Sequence, residues 1–280
     1  MSKFVAIVYN PVKEETKRVI DKLKNLFSEE GLDFFLVKSD YSNFSANIDI
    51  HRGIKKPDYV VSVGGDGTIL YSARLFAQYE VPIIGIDVGK LGFLMHFSES
   101  EIENVVKMIK EDNFKFENRM MISVIVRFKS GREFFGNALN EVVVSRGKFH
   151  RLLDIDVFVD GEYLNTYRAD GIIVSTPTGS TAYSLSAFGP IAMPTMENLI
   201  ITPICPHTLS ARSIILESTR SIVLKIGYTT PPSVVVMDGQ DYIDIDEEVE
   251  VEVTKCSFYA KVVTNPKINF FEVLRRKLNW

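Results

Sequence analysis

The first 118 residues alternate between two hydrophobic periods, and that alternation restricts the chain to few folds. Lys3–Tyr9 is an apolar run that stops at Asn10-Pro11, a turn signal. Val19, Ile20, Leu23, Leu26 and Phe27 follow at helical spacing, and Gly31 closes that helix. Asp33–Val37, Tyr59–Val63 and Val81–Asp87 read as further strands. Between the last two, apolar positions 69, 70, 73, 76 and 77 mark a helix over Ile69–Tyr79. Ser98 and Glu101 form a capping-box pattern ahead of Ile102, Val105, Val106 and Ile109. Such alternation predicts a parallel sheet covered by helices.

After about Asn118 short β-rich runs take over. They are Met120–Phe128, Glu141–Ser145, Leu152–Val159, Tyr163–Tyr167, Gly171–Ser175, Ile222–Ile226, Val234–Met237, Val249–Thr254 and Phe258–Val263. Ser130-Gly131, Asp160-Gly161 and Asp238-Gly239 are hairpin signals among them. Short strands joined by such turns predict a β-sandwich-like, all-β unit. The tail Phe270–Trp280 is helical in pattern, with Arg275, Arg276 and Lys277 placed to suit the helix dipole. The expected class is therefore α/β plus all-β: an α/β domain over 1–118, a β-rich domain over 119–262, and a tail helix over 263–280.

Composition removes several functions. With 46% hydrophobic and 24% charged residues, the chain is globular and not disordered. A net charge of −4 argues against general binding to nucleic acid or anionic membranes. Cys205 and Cys256 lie 51 residues apart with no CxxC, so neither a disulfide framework nor a zinc site is indicated. The first residues hold too short an apolar run for a signal peptide, and a cytoplasmic location is expected. Gly171–Met196 has no charged residue, long enough to cross a bilayer. Its three Pro, three Gly and many hydroxyls exclude a lipid-exposed helix.

Polar motifs carry the functional signal. Val63-Gly64-Gly65-Asp66-Gly67-Thr68 sits at a strand end and opens a helix, where α/β sheets bind ligands. Its glycines let backbone N–H groups approach an anion, and the helix N-terminus adds a favourable dipole. Neither a GxxxxGK[ST] loop nor a GxGxxG fingerprint is present, since Leu70 stands where the third Gly or Ala should be. A carboxylate inside a phosphate loop repels its guest unless it holds a cation or takes a proton from an attacking hydroxyl. The alternative is that Asp66 simply N-caps the helix. In Ser175–Ser186, eight of twelve residues carry a hydroxyl that could read a sugar, a base edge or a phosphate. Tyr183 could stack on a ring. Asp170 and Arg168 precede this run. Asn140-Glu141 could share the vicinal hydroxyls of a ribose. His207, within Pro203–Arg212, reads as structural.

Together these residues closely resemble the NAD kinase family. The resemblance runs through Gly64–Thr68 (GGDGT), Gly89–Leu94 (GKLGFL), Asn140-Glu141, Asp170–Ser186 (DGIIVSTPTGSTAYSLS), Pro203–Arg212 (PICPHTLSAR), Asp238–Gln240 (DGQ) and the Phe270–Leu278 tail. GGDGT alone is shared with diacylglycerol and sphingosine kinases; the hydroxyl-rich motif is far more specific. Two departures are Phe188, where the family has Gly, and Ser213, where Pro is common. The resemblance implies a tail helix that returns to the first domain. It also implies phosphoryl transfer to the 2′-hydroxyl of the adenosine ribose of NAD, giving NADP. Asp66 matches the general base. Gly65, Gly67 and Thr68 match positions against diphosphate and donor phosphates, and Phe93 borders the adenosine pocket. Asn140 and Glu141 match the pair that holds the ribose. Arg151, Arg168, Asp170, Thr178, Thr181, Ala182, Tyr183, Ser184, Leu185, Ser186 and Gln240 match other dinucleotide-lining positions. Asp170 and Thr178 are matched to the polar edges of a base. A divalent ion, Mg²⁺, would come with the donor, ATP or polyphosphate; no dedicated metal cage is visible. A homodimer or homotetramer with sites near the subunit interface is implied, with no nucleic-acid or membrane partner. The rivals are a lipid kinase using the same loop and a non-catalytic NAD(P)-binding sensor.

Overall fold

A computed structural model describes residues 2–12, 14–39, 55–89, 92–147, 151–227 and 233–280. The chain divides into two compact units: Met1–Asn118 with Tyr259–Trp280, and Arg119–Phe258.

The first unit begins with β1 (Phe4–Tyr9), α1 (Glu14–Glu29), β2 (Asp33–Lys38), β3 (Tyr59–Gly64), α2 (Asp66–Phe76), β4 (Ile83–Asp87), β5 (Phe97–Ser98) and α3 (Ile102–Glu111). β1 lies between β2 and β3, β4 follows β3, and β5 adds beside β4; all these pairings are parallel. Every residue of β3 is buried, as a strand covered on both faces requires. Val5, Ile7, Val61, Val63, Ile84 and Ile86 from the sheet join Val19, Leu23 and Phe27 of α1, and Ile102, Val105 and Ile109 of α3, in one core. The Ser98–Glu101 capping box is formed. α2 starts three residues before the apolar periodicity does. Its first turn, Asp66-Gly67-Thr68, is polar or small and so carries no apolar signal.

The second unit is antiparallel. Its strands are β6 (Lys115–Phe128), β7 (Glu133–Ala138), β8 (Glu141–Arg146), β9 (Leu153–Val159), β10 (Glu162–Ala169) and β11 (Gly171–Ser175). A short helix α4 (Tyr183–Ser186) precedes β12 (Asn198–Ile204), β13 (Ile214–Glu217), β14 (Ile222–Ile226), β15 (Ser233–Met237), β16 (Asp241–Ile245) and β17 (Val249–Thr264). Six strands form one sheet in the order β13-β12-β11-β8-β15-β16. A second set runs β10-β9-β14-β17, with β6 and β7 paired beside β17. β9 and β10 are joined by Asp160-Gly161, both at positive φ, the two-residue hairpin the sequence predicts.

β5, β7, β12, β13 and β16 are strands beyond those the sequence predicts. β12 contains Pro203, which demotes a run as a strand. The breaks expected around Lys255-Cys256-Ser257 do not occur. β17 runs unbroken from Val249 to Thr264, because Cys256 is buried and Lys255 is paired with Glu197 at 2.6 Å.

The end of β17 returns to the first unit, where Val262 pairs with Ile83 of β4 and Val263 enters the core. Asn265 donates to the His96 carbonyl at 3.1 Å and to Glu101 Oε1 at 3.0 Å. The last helix, α5 (Phe270–Leu278), is N-capped by Asn269, which accepts from the Phe271 N–H at 2.8 Å, and buries Val273 and Leu274. Among the described residues, no helix is long and apolar enough to cross a membrane. Both cysteines are free, and burial pushes the Cys256 thiol up to about 12.

Candidate active site

In the first unit the glycine-rich turn delivers β3 into α2. Gly65, in extended backbone, is the N-cap of α2, and Asp66 is its first helical residue. No side chain caps this helix, so Asp66 is not spent on capping. Its carboxylate turns instead to the loop after β4. Oδ2 accepts from the Phe93 N–H at 2.8 Å and Oδ1 from the Leu94 N–H at 3.0 Å. Each oxygen keeps acceptor capacity beyond these bonds. Gly92 makes the approach possible: a Cβ there would stand 1.9 Å from Asp66 Oδ1. The loop thus holds the Asp66 carboxylate in place. Of the GKLGFL motif, residues 90–91 lie outside the described residues. Thr68 is buried, and its carbonyl accepts from Ser72 Oγ at 2.8 Å. The α2 N-terminus directs backbone N–H groups and a positive dipole end at the turn, which favours an anion.

In the second unit one polar cluster gathers where β8 begins, β11 ends and β15 turns into β16. Glu141 and Ser175 are directly opposed across β8 and β11. Both are buried, and Glu141 Oε2, Ser175 Oγ and Thr178 Oγ1 have no hydrogen-bond partner. Burial, reinforced by the Asp238 charge and opposed by a Tyr183 N–H bond, pushes the Glu141 carboxyl up to about 8. Gln240 is buried beside the β15–β16 turn. Buried oxygens left unpaired are costly unless a ligand completes them. A diol or amide guest has the donors and acceptors to pair with Glu141 and Thr178.

The hydroxyl-rich run is only partly free for this purpose. Thr176 Oγ1 donates to the Leu139 carbonyl at 2.6 Å, and Ser180 Oγ donates to the Pro177 carbonyl at 2.7 Å. Thr181 Oγ1 donates to the Thr178 carbonyl at 3.2 Å, and Ser184 Oγ bonds Thr202 Oγ1 at 3.1 Å. About half the hydroxyls therefore build the loop. Tyr183 is 45% exposed. Leu185 and Ser186 complete α4 after Ala182.

Asp170 and Arg168 lie elsewhere. They precede β11, whereas Thr178 follows it, so five strand steps of roughly 3.3 Å each separate Asp170 from Ser175. Asp170 is held by the Arg146 guanidinium in a fork, at 2.6 and 3.2 Å. Arg168 lines a cavity of about 390 Å³ with Thr166, Thr208, Ser210 and Arg212, the last three from the PICPHTLSAR motif. The His207 N–H donates to the Arg168 carbonyl at 2.8 Å, a structural contact. Arg151 is exposed, two residues ahead of β9. The predicted residues of this unit thus form two clusters at opposite ends of β11.

Sequence reasoning missed Gly92, Arg146 and Asp238 as site-building residues. Gly92 and Asp238 lie in the GKLGFL and DGQ motifs and Arg146 in none, but nothing in the spacing shows what the Asp238 carboxylate touches. Phe188, the departure from Gly, is 96% exposed at φ 64°, a left-handed conformation that glycine takes at no steric cost.

Comparison with known proteins matches both halves of the chain. A family described as ATP-NAD kinase N-terminal domain matches residues 5–114, and one described as ATP-NAD kinase C-terminal domain matches residues 139–265. An NAD kinase of Aquifex aeolicus is 34% identical over 284 residues, covering 100% of both chains. One of Caldanaerobacter subterraneus subsp. tengcongensis is 43% identical over 280 residues, 99% of each chain. Yeast NADH kinase, solved in complex with NADH, superposes with a TM-score of 0.85 at 26% identity, covering 99% of this chain and 87% of that one. An NAD kinase from Archaeoglobus fulgidus in complex with ATP gives a TM-score of 0.75 at 29% identity, covering 99% and 98%. With both domain families matched and full-length relatives above 30% identity, the chain belongs to the NAD kinase family.

Proposed function

We propose that this chain transfers the γ-phosphoryl group of ATP to the 2′-hydroxyl of the adenosine ribose of NAD, with Asp66 as the general base. The observation that carries the assignment is the Asp66 carboxylate, released from capping and held by two backbone N–H bonds at the mouth of a glycine-rich turn. A secondary hydroxyl is a poor nucleophile, and a carboxylate within hydrogen-bond reach takes its proton as attack proceeds. The bond from the ribose oxygen to phosphorus forms, the bond to the ADP oxygen breaks, and the proton passes to Asp66. The rest is alignment and charge stabilisation. Gly65, Gly67 and Thr68 border the phosphates at the positive end of α2, and Phe93 borders the adenosine. Asn140 and Glu141 hold the ribose, and Thr178, Tyr183 and Gln240 surround the dinucleotide. The unpaired oxygens of Glu141 and Thr178 support that reading.

Among the described residues, no group of three or more His, Cys, Asp or Glu could hold a metal. A Mg²⁺ ion bound to the donor phosphates fits such a site better than a resident ion; it would neutralise phosphate charge. The two clusters flanking β11 support a homodimer or homotetramer. In it, Arg168 and Asp170 of one copy would complete the dinucleotide site of a neighbour. Two free cysteines fit a reducing, cytoplasmic compartment. No observation favours the lipid-kinase or sensor alternatives.

The deciding experiment is NADP formation from NAD and ATP by the wild-type chain and by Asp66→Asn. The substitution should lower turnover by about 10²–10⁴-fold. NAD affinity measured by calorimetry should stay within about threefold, because the ribose-holding pair is untouched. Near-normal NADP formation by Asp66→Asn removes that residue from the base role.

A further inference from the structure

Asp238 directs its carboxylate at Leu139, Asn140 and Glu141, where β8 begins. Oδ2 accepts from the Leu139 N–H at 2.9 Å, and Oδ1 accepts from the N–H groups of Asn140 at 2.7 Å and Glu141 at 3.1 Å. Its own N–H donates to the Glu141 carbonyl at 3.0 Å. β15 pairs with β8 in a register that sets Met237 opposite Val142, so Asp238 falls one step beyond the ladder, opposite Glu141. There the side chain replaces the strand as hydrogen-bond partner. The carbonyl side of the same segment is fixed by Thr176, whose N–H donates to Asn140 at 2.8 Å and whose Oγ1 donates to Leu139 at 2.6 Å. Gly179 closes the arrangement, since a Cβ there would stand 2.1 Å from the Asn140 carbonyl oxygen.

A turn alone does not account for this residue. Asp238 has φ 51° and precedes Gly239, a position that Asn fills equally well without a charge. Only 6% of Asp238 is exposed, and it faces the buried carboxyl of Glu141. Burying a carboxylate beside another is unfavourable, and the three N–H bonds are what stabilise it.

We propose that Asp238 is a positioning residue of the phosphoryl-acceptor site: by binding the N–H groups of 139–141, its carboxylate sets the side chains of Asn140 and Glu141 to receive the ribose of NAD. The proposal rests on the acceptor reading given above. It has an electrostatic corollary. The groups that face Glu141 are the Asp238 carboxylate, the Ser175 hydroxyl on β11 and the Tyr183 N–H on α4; of these only Asp238 is charged. Its removal makes Glu141 a stronger acid.

The test compares wild type, Asp238→Asn, Glu141→Gln and the double variant, by NAD calorimetry and by initial rates across pH. Asn keeps the shape and the Oδ1 acceptor but loses the charge and presents a donor to the Leu139 N–H. Asp238→Asn should raise Kd and KM for NAD by about 10–100-fold, the loss of one charged hydrogen bond, with kcat within about threefold. The ionisation seen in the pH dependence of NAD binding should move to lower pH, and the effects of Asp238→Asn and Glu141→Gln should be less than additive. Wild-type NAD affinity and pH profile in Asp238→Asn, or full additivity, overturns the proposal. Should Asp238→Asn fail to fold, Thr176→Val loosens the same segment from its carbonyl side. Weakened NAD binding with kcat retained then upholds the proposal, and unchanged binding overturns it. Failure of the wild-type chain to bind NAD overturns the acceptor reading itself, a separate outcome.

Discussion

Glu141 shows how a functional residue works against the fold that holds it. Its carboxyl is driven up to about 8, first by burial and then by Asp238. A native state that holds the proton up to about pH 8 binds more protons than the unfolded chain between about pH 4.5 and pH 8. Stability contributed by the neutral carboxyl is therefore complete at low pH. It is lost as pH rises through that window. Glu141→Gln removes the titration while keeping the size. The variant should be more stable than wild type at pH 8, by on the order of 2 kcal/mol, with the gap closing toward pH 5. NAD affinity should fall at the same time. Urea unfolding at the two pH values decides it, and a variant less stable than wild type at both defeats the account. The sequence marks Asn140-Glu141 as a pair but shows neither its burial nor the second carboxylate beside it. Those come from β15, about a hundred residues away in the chain. Asp66 was similarly ambiguous between cap and base, and the ambiguity turned on one position: Gly65 takes the cap.

Elements were more legible than contacts. β1, α1, β3, α3 and the Asp160-Gly161 hairpin follow from period and turn chemistry, because in each the local signal and the tertiary demand agree. β16 alternates buried and exposed residues over only five positions, and β7 buries only Ala138, so neither stands out among loops. The loop after β4 has no periodicity at all, yet it orients the acid. Its key residue is Gly92, where a methyl group would collide with the Asp66 carboxylate. Since that carboxylate is the mobile end of a side chain, the strain of Gly92→Ala should fall on the site and not on the core. The prediction is a fall in kcat of about 10–100-fold, with the melting temperature changed by less than about 4 °C. Wild-type kcat in Gly92→Ala would show that the carboxylate need not be held there.

At the scale of the whole molecule, net charge misleads. A chain at −4 is proposed to handle two polyanions, and the positive groups are local: backbone N–H groups at the α2 N-terminus, and Arg168 and Arg212 around one cavity. That cavity and Glu141 sit at opposite ends of β11, a separation no motif reveals, because Asp170–Ser186 reads as one continuous element in sequence. In the arrangement proposed above, the two clusters meet on one dinucleotide by coming from different copies of the chain. Subunit mixing tests this. Arg168→Ala and Glu141→Gln each remove one cluster, and each homo-oligomer should form NADP poorly. Unfolded together and refolded at equal amounts, a dimer assorts at random, so about half the molecules are mixed, and each of these has one site with both clusters intact. Activity should therefore recover to about one quarter of wild type, well above either variant alone. Light scattering on the same sample checks that oligomers have formed. Oligomers that assort without any gain in activity would overturn that arrangement, because no site would then draw one cluster from each copy.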